Sequence, residues 1–107
     1  MIRITEKEFK ERIAGRQPGE ILRFTEYEIW DMDLSGEDLS YMDFTLSSFQ
    51  NTVLNGVNFE NSIVENALFD GCPMKGASFK NARMVTASFR YCDMRECNIE
   101  GADLFGA

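Results

Sequence analysis

The chain of 107 residues is the length of one domain, and its 44% hydrophobic and 27% charged content is that of a folded globular protein, too apolar for disorder. Lys plus Arg total 11 against 18 for Asp plus Glu, a net charge of -7, which argues against a nucleic-acid binder, whose phosphate contacts need clustered bases. The absence of histidine removes the commonest general base and metal ligand, and no apolar run approaches the ~20 residues that span a bilayer.

Met1 to Ile4 reads as a short strand. Thr5-Glu6-Lys7-Glu8 has the form of a capping box, with Thr5 as N-cap and Glu8 reaching back. Phe9, Ile13 and Ala14 then share one helical face, and Gly15 is a natural stop, which predicts a helix over residues 5–14. This opening stretch is charged throughout and lacks the apolar core of a secretory signal. Three cysteines, an odd number, suit a reducing cytoplasm rather than a disulfide framework. Arg16-Gln17-Pro18-Gly19 is a turn. Leu22, Phe24, Tyr27 and Ile29 already fall into the frame of a repeat that runs from Leu34 to Leu104, so a degenerate first coil is expected from near Ile21. The expected division is a strand and helix cap over residues 1–21 and a repeat region over residues 22–107, together one structural domain.

From Leu34 a bulky apolar residue recurs every five positions without a miss: Leu34, Leu39, Phe44, Phe49, Leu54, Phe59, Val64, Phe69, Met74, Phe79, Met84, Phe89, Met94, Ile99 and Leu104. Two residues before each lies a second, mostly small position, such as Ser47, Thr52, Ser62, Ala67, Cys72, Ala77 and Ala82. A period of five fits neither a helix at 3.6 nor a strand at 2. It fits a chain that turns a corner every five residues and points one large and one small side chain inward from each side. A single coil cannot bury that face, so coils must stack at the roughly 4.7–4.9 Å spacing of strands.

The number of sides follows from the aromatic residues. Phe49, Phe59, Phe69, Phe79 and Phe89 recur every ten positions, with slimmer Leu54, Val64, Met74, Met84 and Met94 between them. A four-sided coil of 20 residues sets Phe on two opposite faces and fills a narrow interior without voids or clashes. A three-sided coil would scatter Phe over every face. Gly36, Gly56 and Gly76, Cys72 and Cys92, and Asn61 and Asn81 also repeat at 20.

The units Ala102-Asp103-Leu104-Phe105-Gly106, Val57-Asn58-Phe59-Glu60-Asn61 and Cys92-Asp93-Met94-Arg95-Glu96 resemble those of the pentapeptide repeat family. That resemblance, over about three quarters of the chain, implies an all-β, right-handed quadrilateral β-helix, here with a short N-terminal capping α-helix. It implies no catalytic signature. Some members of the family mimic DNA, as negatively charged rods that occupy the DNA site of a topoisomerase. Five departures stand out. Glu37 puts a carboxylate at an inward position and should reach an open end or a partner. Leu68, Ile63 and Val53 replace the usual Asp or Asn and should face outward. Pro73 should fall where no bond between coils is needed.

A first coil exposes apolar side chains and unpaired backbone, and the helix is its expected cover. The other end stops in good repeat sequence, so either two copies meet end to end through their C-terminal coils or the chain is a fragment of a longer protein. The expected partner is therefore a second copy, with an unidentified protein as a further one, and no nucleic acid or membrane.

Candidate sites reduce mostly to core. Cys72, Cys92 and Cys97 hold the small inward position, and zinc would need about four ligands. Met74, Met84 and Met94 are centres of their units and pack inward. No cofactor or metal site is read, and a filled solenoid offers no concave pocket for catalysis. From Met32 onward there are 11 acids and 5 bases, and Lys75, Lys80, Arg83, Arg90 and Arg95 form a belt that interrupts any negative stripe. Just over four coils give a rod of ~20 Å, short beside a duplex with a charge per ≈ 1.7 Å. DNA mimicry is therefore the second reading, as inhibitor or protector of a type II topoisomerase such as gyrase. The first is a non-enzymatic, cytoplasmic structural and protein-interaction module. Its candidate contact patch is Leu46, Ile63, Val85 and Phe105 on one face, with Leu68 round the corner, because adjoining outward apolar groups suggest an interface.

Overall fold

A chain that turns every five residues needs backbone that can reverse direction at each corner. The computed structural model, which describes residues 1–107, supplies this with a residue of positive φ at every fifth position from Glu26 to Gly106. Asn and Gly hold most of these corners and adopt that conformation readily. Leu46 (φ 61°), Thr86 (φ 56°) and Tyr91 (φ 54°) do not, and are held there by the coils around them.

The elements in order are β1 (Ile2–Arg3), α1 (Glu6–Ala14), β2 (Tyr27–Trp30), β3 (Ser48–Gln50), β4 (Leu68–Asp70) and β5 (Ser88–Arg90). The strands form one parallel sheet in the order β1-β2-β3-β4-β5. Its register steps by 20 residues, with Ile29 beside Phe49, Phe49 beside Phe69 and Phe69 beside Phe89. Three further columns of parallel bridges keep the same step: Asp33 with Val53, Asp38 with Asn58, and Asp43 with Ile63. Each 20-residue coil is therefore pinned to the next at four places, five residues apart. The N–H of Leu34 donates to the Val53 carbonyl at 2.9 Å, and the N–H of Val53 donates back to Met32 at 2.8 Å. This alternation repeats along the molecule.

The core is the stack of centres. Phe24, Leu34, Leu39, Phe44, Phe49, Leu54, Phe59, Val64, Phe69, Met74, Phe79 and Met84 are all fully buried. Phe49, Phe69 and Phe89 lie face to face, with centroids 4.7 Å apart at each step and planes 5° and 7° from parallel. Phe59 and Phe79 form a second ladder at 4.8 Å. The ladders meet edge to face, as in Phe59 against Phe69 at 6.1 Å and 87°. Offset and T-shaped contacts are the arrangements aromatic quadrupoles favour.

The helix forms as its capping box predicts: the Glu8 N–H donates to Thr5 Oγ1 at 3.1 Å, and the Thr5 N–H donates to Glu8 Oε1 at 3.1 Å. Gly15 ends it without the left-handed backbone common at such stops, with φ -86° and its N–H on the Glu11 carbonyl at 3.0 Å. Leu68, Ile63 and Val53 occupy outward frame positions and are half-buried between their neighbours. Pro73 contradicts its expectation. Val53, Asn58, Ile63, Ser78 and Arg83, at the same frame position, each donate their N–H to the preceding coil. Pro73 thus removes a bond the ladder otherwise makes, while its carbonyl still accepts from Leu54 at 2.7 Å.

Candidate interaction surface

The two ends of the stack differ. At the N-terminal end, the segment before the first coil supplies partners for that coil's free backbone. Ile2 N–H donates to Glu26 O at 3.0 Å, Glu6 Oε1 accepts from Asp33 N–H at 3.0 Å, and Arg16 Nη1 donates to Ser40 O at 2.7 Å. Phe9 of α1 is fully buried, 4.6 Å from Phe24 and 6.5 Å from Phe44, and Ile13 packs beside it. Glu37 lies half-buried at this rim. Its charge helps to raise the pKa of Lys10, chiefly raised by the hydrogen bond to Glu6.

At the C-terminal end the core comes into view. Phe89 and Met94 are half-buried, while Ile99 is 45% and Leu104 41% exposed. Phe105 (77%) and Tyr91 (86%) are more exposed still. The N–H groups of Met94, Ile99 and Leu104 hold the frame position that donates onward in earlier coils, and here they face out. The outcome is an apolar cross-section ringed by strand edge, the arrangement most prone to pair with another strand edge.

The residues of the expected patch are spread over two adjoining columns. The register of Arg83 with Asp103 sets Phe105 one coil beyond Val85. Ile63 lies in that same column, between Asp43 and Arg83, two residues along the chain frame from Val85 and Phe105, and Leu68 stands in another, between Ser48 and Ser88. The Arg83–Glu65 ion pair crosses the space between Ile63 and Val85. Leu46 (47%) and Phe105 are exposed, whereas Ile63, Leu68 and Val85 are half-buried. Tyr91, absent from the predicted patch, is more exposed than any of these; its place at a left-handed corner of the last coil was the available signal.

The cysteines have a structural role that spacing alone does not reveal. From the coil of residues 52–71 onward, three corners of each coil close with a bond three residues long, as in the N–H of Val57 to Leu54 O, Ser62 to Phe59 O and Ala67 to Val64 O, at 3.1–3.2 Å. The corner after Phe49 and after Phe69 lacks this bond. There Thr52 Oγ1 donates to Ile29 O at 2.8 Å and accepts from the Met32 N–H at 3.3 Å. Cys72 Sγ repeats the contact on Phe49 O, and Cys92 Sγ on Phe69 O, both at 3.4 Å. The neighbouring Cys92 thiol, with burial, pushes Cys72 up, while the Cys72 thiol holds Cys92 down to about 7. Burial raises Cys97.

The surface has two concavities, both at the cap. One of about 590 Å³ lies between the loop of Arg16, Pro18 and Ile21 and the ring of Tyr41; the other, about 420 Å³, lies between β1 and α1. Of the basic belt, Arg83 pairs with Glu65 and Arg95 with Asp93 at 2.7 Å, and Arg95 holds the Asp93 carboxyl down to about 2. No helix is long and apolar enough to cross a membrane.

Coils stacked in parallel register over a filled core, with one end covered, define a β-solenoid repeat protein. The chain belongs to the pentapeptide repeat family: residues 42–107 match the family pattern described as a pentapeptide repeat region. Its fold is the right-handed β-helix of that family, and it is shared by solved structures at low identity. Full-length QnrB1, a plasmid-mediated fluoroquinolone resistance protein, is similar over 95% of this chain and 44% of its own, at 19% identity and TM-score 0.73. A trypsin-treated form of QnrB1 is similar over 78% and 44%, at 23% and 0.74. The pentapeptide repeat protein alr5209 from Nostoc PCC 7120 is similar over 96% and 77%, at 21% and 0.58. The chain thus spans less than half the length of QnrB1. Among curated proteins none matches it in sequence.

Proposed function

We propose that this chain is a cytoplasmic, non-enzymatic interaction module that associates end to end with a second copy through its C-terminal coil. In this reading residues 1–21 are the cap, residues 22–107 a four-sided shaft, and the four columns of pairings its walls. The observation that carries it is the contrast between the ends: Phe9 and Glu6 close one, while Ile99, Leu104 and Phe105 lie open at the other. A two-fold stack would bury that cross-section against itself and pair its outward N–H groups. Sedimentation of the 107-residue chain should show a dimer that Leu104→Glu converts to monomer. A wild-type chain that stays monomeric at high concentration refutes the reading. The patch of Leu46, Ile63, Leu68, Val85 and Phe105 is proposed as a second contact surface. Val85→Asp with Phe105→Asp should alter oligomeric state or partner capture if it is one.

The likeness in fold to QnrB1 favours a second reading, a DNA-mimicking inhibitor or protector of a type II topoisomerase. The five bases of the belt and the short shaft weigh against it. Inhibition of gyrase supercoiling at stoichiometric protein would favour it over the first.

A further inference from the structure

Cys72 and Cys92 occupy the same corner in successive coils, fixed as neighbours by the pairing of Pro73 with Asp93. Their sulfurs make the same contact one coil apart, each 3.4 Å from the carbonyl of the preceding centre. Equivalent contacts in successive coils separate the two sulfurs by the coil spacing, roughly 4.7–4.9 Å. In the observed rotamers both sulfurs are turned onto carbonyls, and a sulfur–sulfur bond of about 2.05 Å would require both side chains to turn away from them. Two metal–thiolate bonds end to end would not, since each is about 2.3 Å. No three His, Cys, Asp or Glu side chains converge to hold an ion, so a tetrahedral centre does not fit. The ion must accept two collinear ligands, and among biological metals thiolate ligands select Cu(I) for such a role.

We propose that Cys72 and Cys92 form a two-coordinate thiolate site for a soft monovalent cation of the Cu(I) class. On binding, each S–H gives its proton to solvent, two metal–sulfur bonds form, and no oxidation state changes. The pair and its ion then carry one net negative charge. Cys92 is half-buried on the last coil and gives the ion its way in. Cys97 sits at another corner, with its sulfur 3.1 Å from the Met74 carbonyl, outside the pair.

The test is a titration of the reduced 107-residue chain with Ag(I), a redox-inert ion of the same preference. It is followed by thiolate-to-metal absorption and by native mass spectrometry. The expected result is one ion per chain with two protons displaced, unchanged in Cys97→Ala. Cys72→Ser and Cys92→Ser should each weaken binding by more than the ~100-fold that outer-shell changes cost metal sites. Serine keeps the hydroxyl that Thr52 uses at this corner, so the bonds between coils survive. Loss of binding in Cys97→Ala, or undiminished binding in either serine variant, overturns the proposal. So does a folded wild-type chain that takes up no ion, a result independent of any variant. Cu(I) alone, added anaerobically, should reproduce the stoichiometry.

Discussion

The rings of Phe49 and Phe69 lie 4.7 Å apart and 5° from parallel, each the centre of its coil and each fully buried. Phe69 also contacts Phe89, Phe59 and Phe79, so one side chain joins three coils. Phe69→Ala should cost about 3–5 kcal/mol in urea denaturation, the range for a large buried aromatic ring. Phe69→Leu should cost clearly less, because it refills most of the space. A loss below about 1 kcal/mol for the alanine variant would show that the ladder does not carry the core.

Two buried hydroxyls should respond to deletion with opposite signs. Thr52 Oγ1 both donates and accepts at its corner, so Thr52→Val should destabilise by about 1–3 kcal/mol. Ser47 Oγ is buried without a partner, and the equivalent position holds Ala67 and Ala87 in the next coils. Ser47→Ala should therefore stabilise, by up to about 1 kcal/mol. Melting curves of the two variants decide it, and equal shifts would sink the distinction.

Stability should fall in acid. Asp33 and Asp38 are held below their ordinary 3.8 by hydrogen bonds from Ser35 and Ser40, and Glu8 below 4.5 by those from Thr5. Asp93 is held at about 2 by Arg95. A carboxyl depressed in the fold binds fewer protons there than in the unfolded chain. Its contribution is full above the ordinary value and is lost as pH falls through the folded one. Tm should decline from just below pH 4.5 toward pH 2. A Tm that rises across that window would contradict these contacts.

Gly56 and Gly71 have the same φ of 67°, but only Gly71 faces an obstacle, with Asn51 Oδ1 2.7 Å from where a Cβ would lie. Gly56→Ala should cost the ~1–2 kcal/mol of a left-handed alanine. Gly71→Ala should cost more, because Asn51 must also move. Asn51→Gly in the same chain, which keeps the left-handed corner at φ 49° without a side chain in the way, should recover the difference between them.

Much of this architecture was legible in the sequence because one inward-facing side chain per unit must be large. The series from Leu34 to Leu104 marked the core, and the spacing of Phe49, Phe69 and Phe89 gave the 20-residue step. The capping box at Thr5 and Glu8 marked the helix. The differences between corners were not legible. A period of five records which side chains point inward, but not which backbone bonds close each turn. Thr52, Cys72 and Cys92 therefore read as merely small, although they stitch the corner that lacks a turn bond. For the same reason Pro73 looked harmless.

Because every coil repeats its pairing after 20 residues, the molecule has no intrinsic length. Removing residues 57–76 would bring Gly56 to Ala77 and keep each later side chain on its own wall, phenylalanine still above phenylalanine. Removing five would instead shift everything downstream by one repeat unit and break the 20-residue register of the Phe rings. Such a protein can lengthen or shorten over evolutionary time only in whole turns, which leaves its ends free to diversify while the shaft stays in phase.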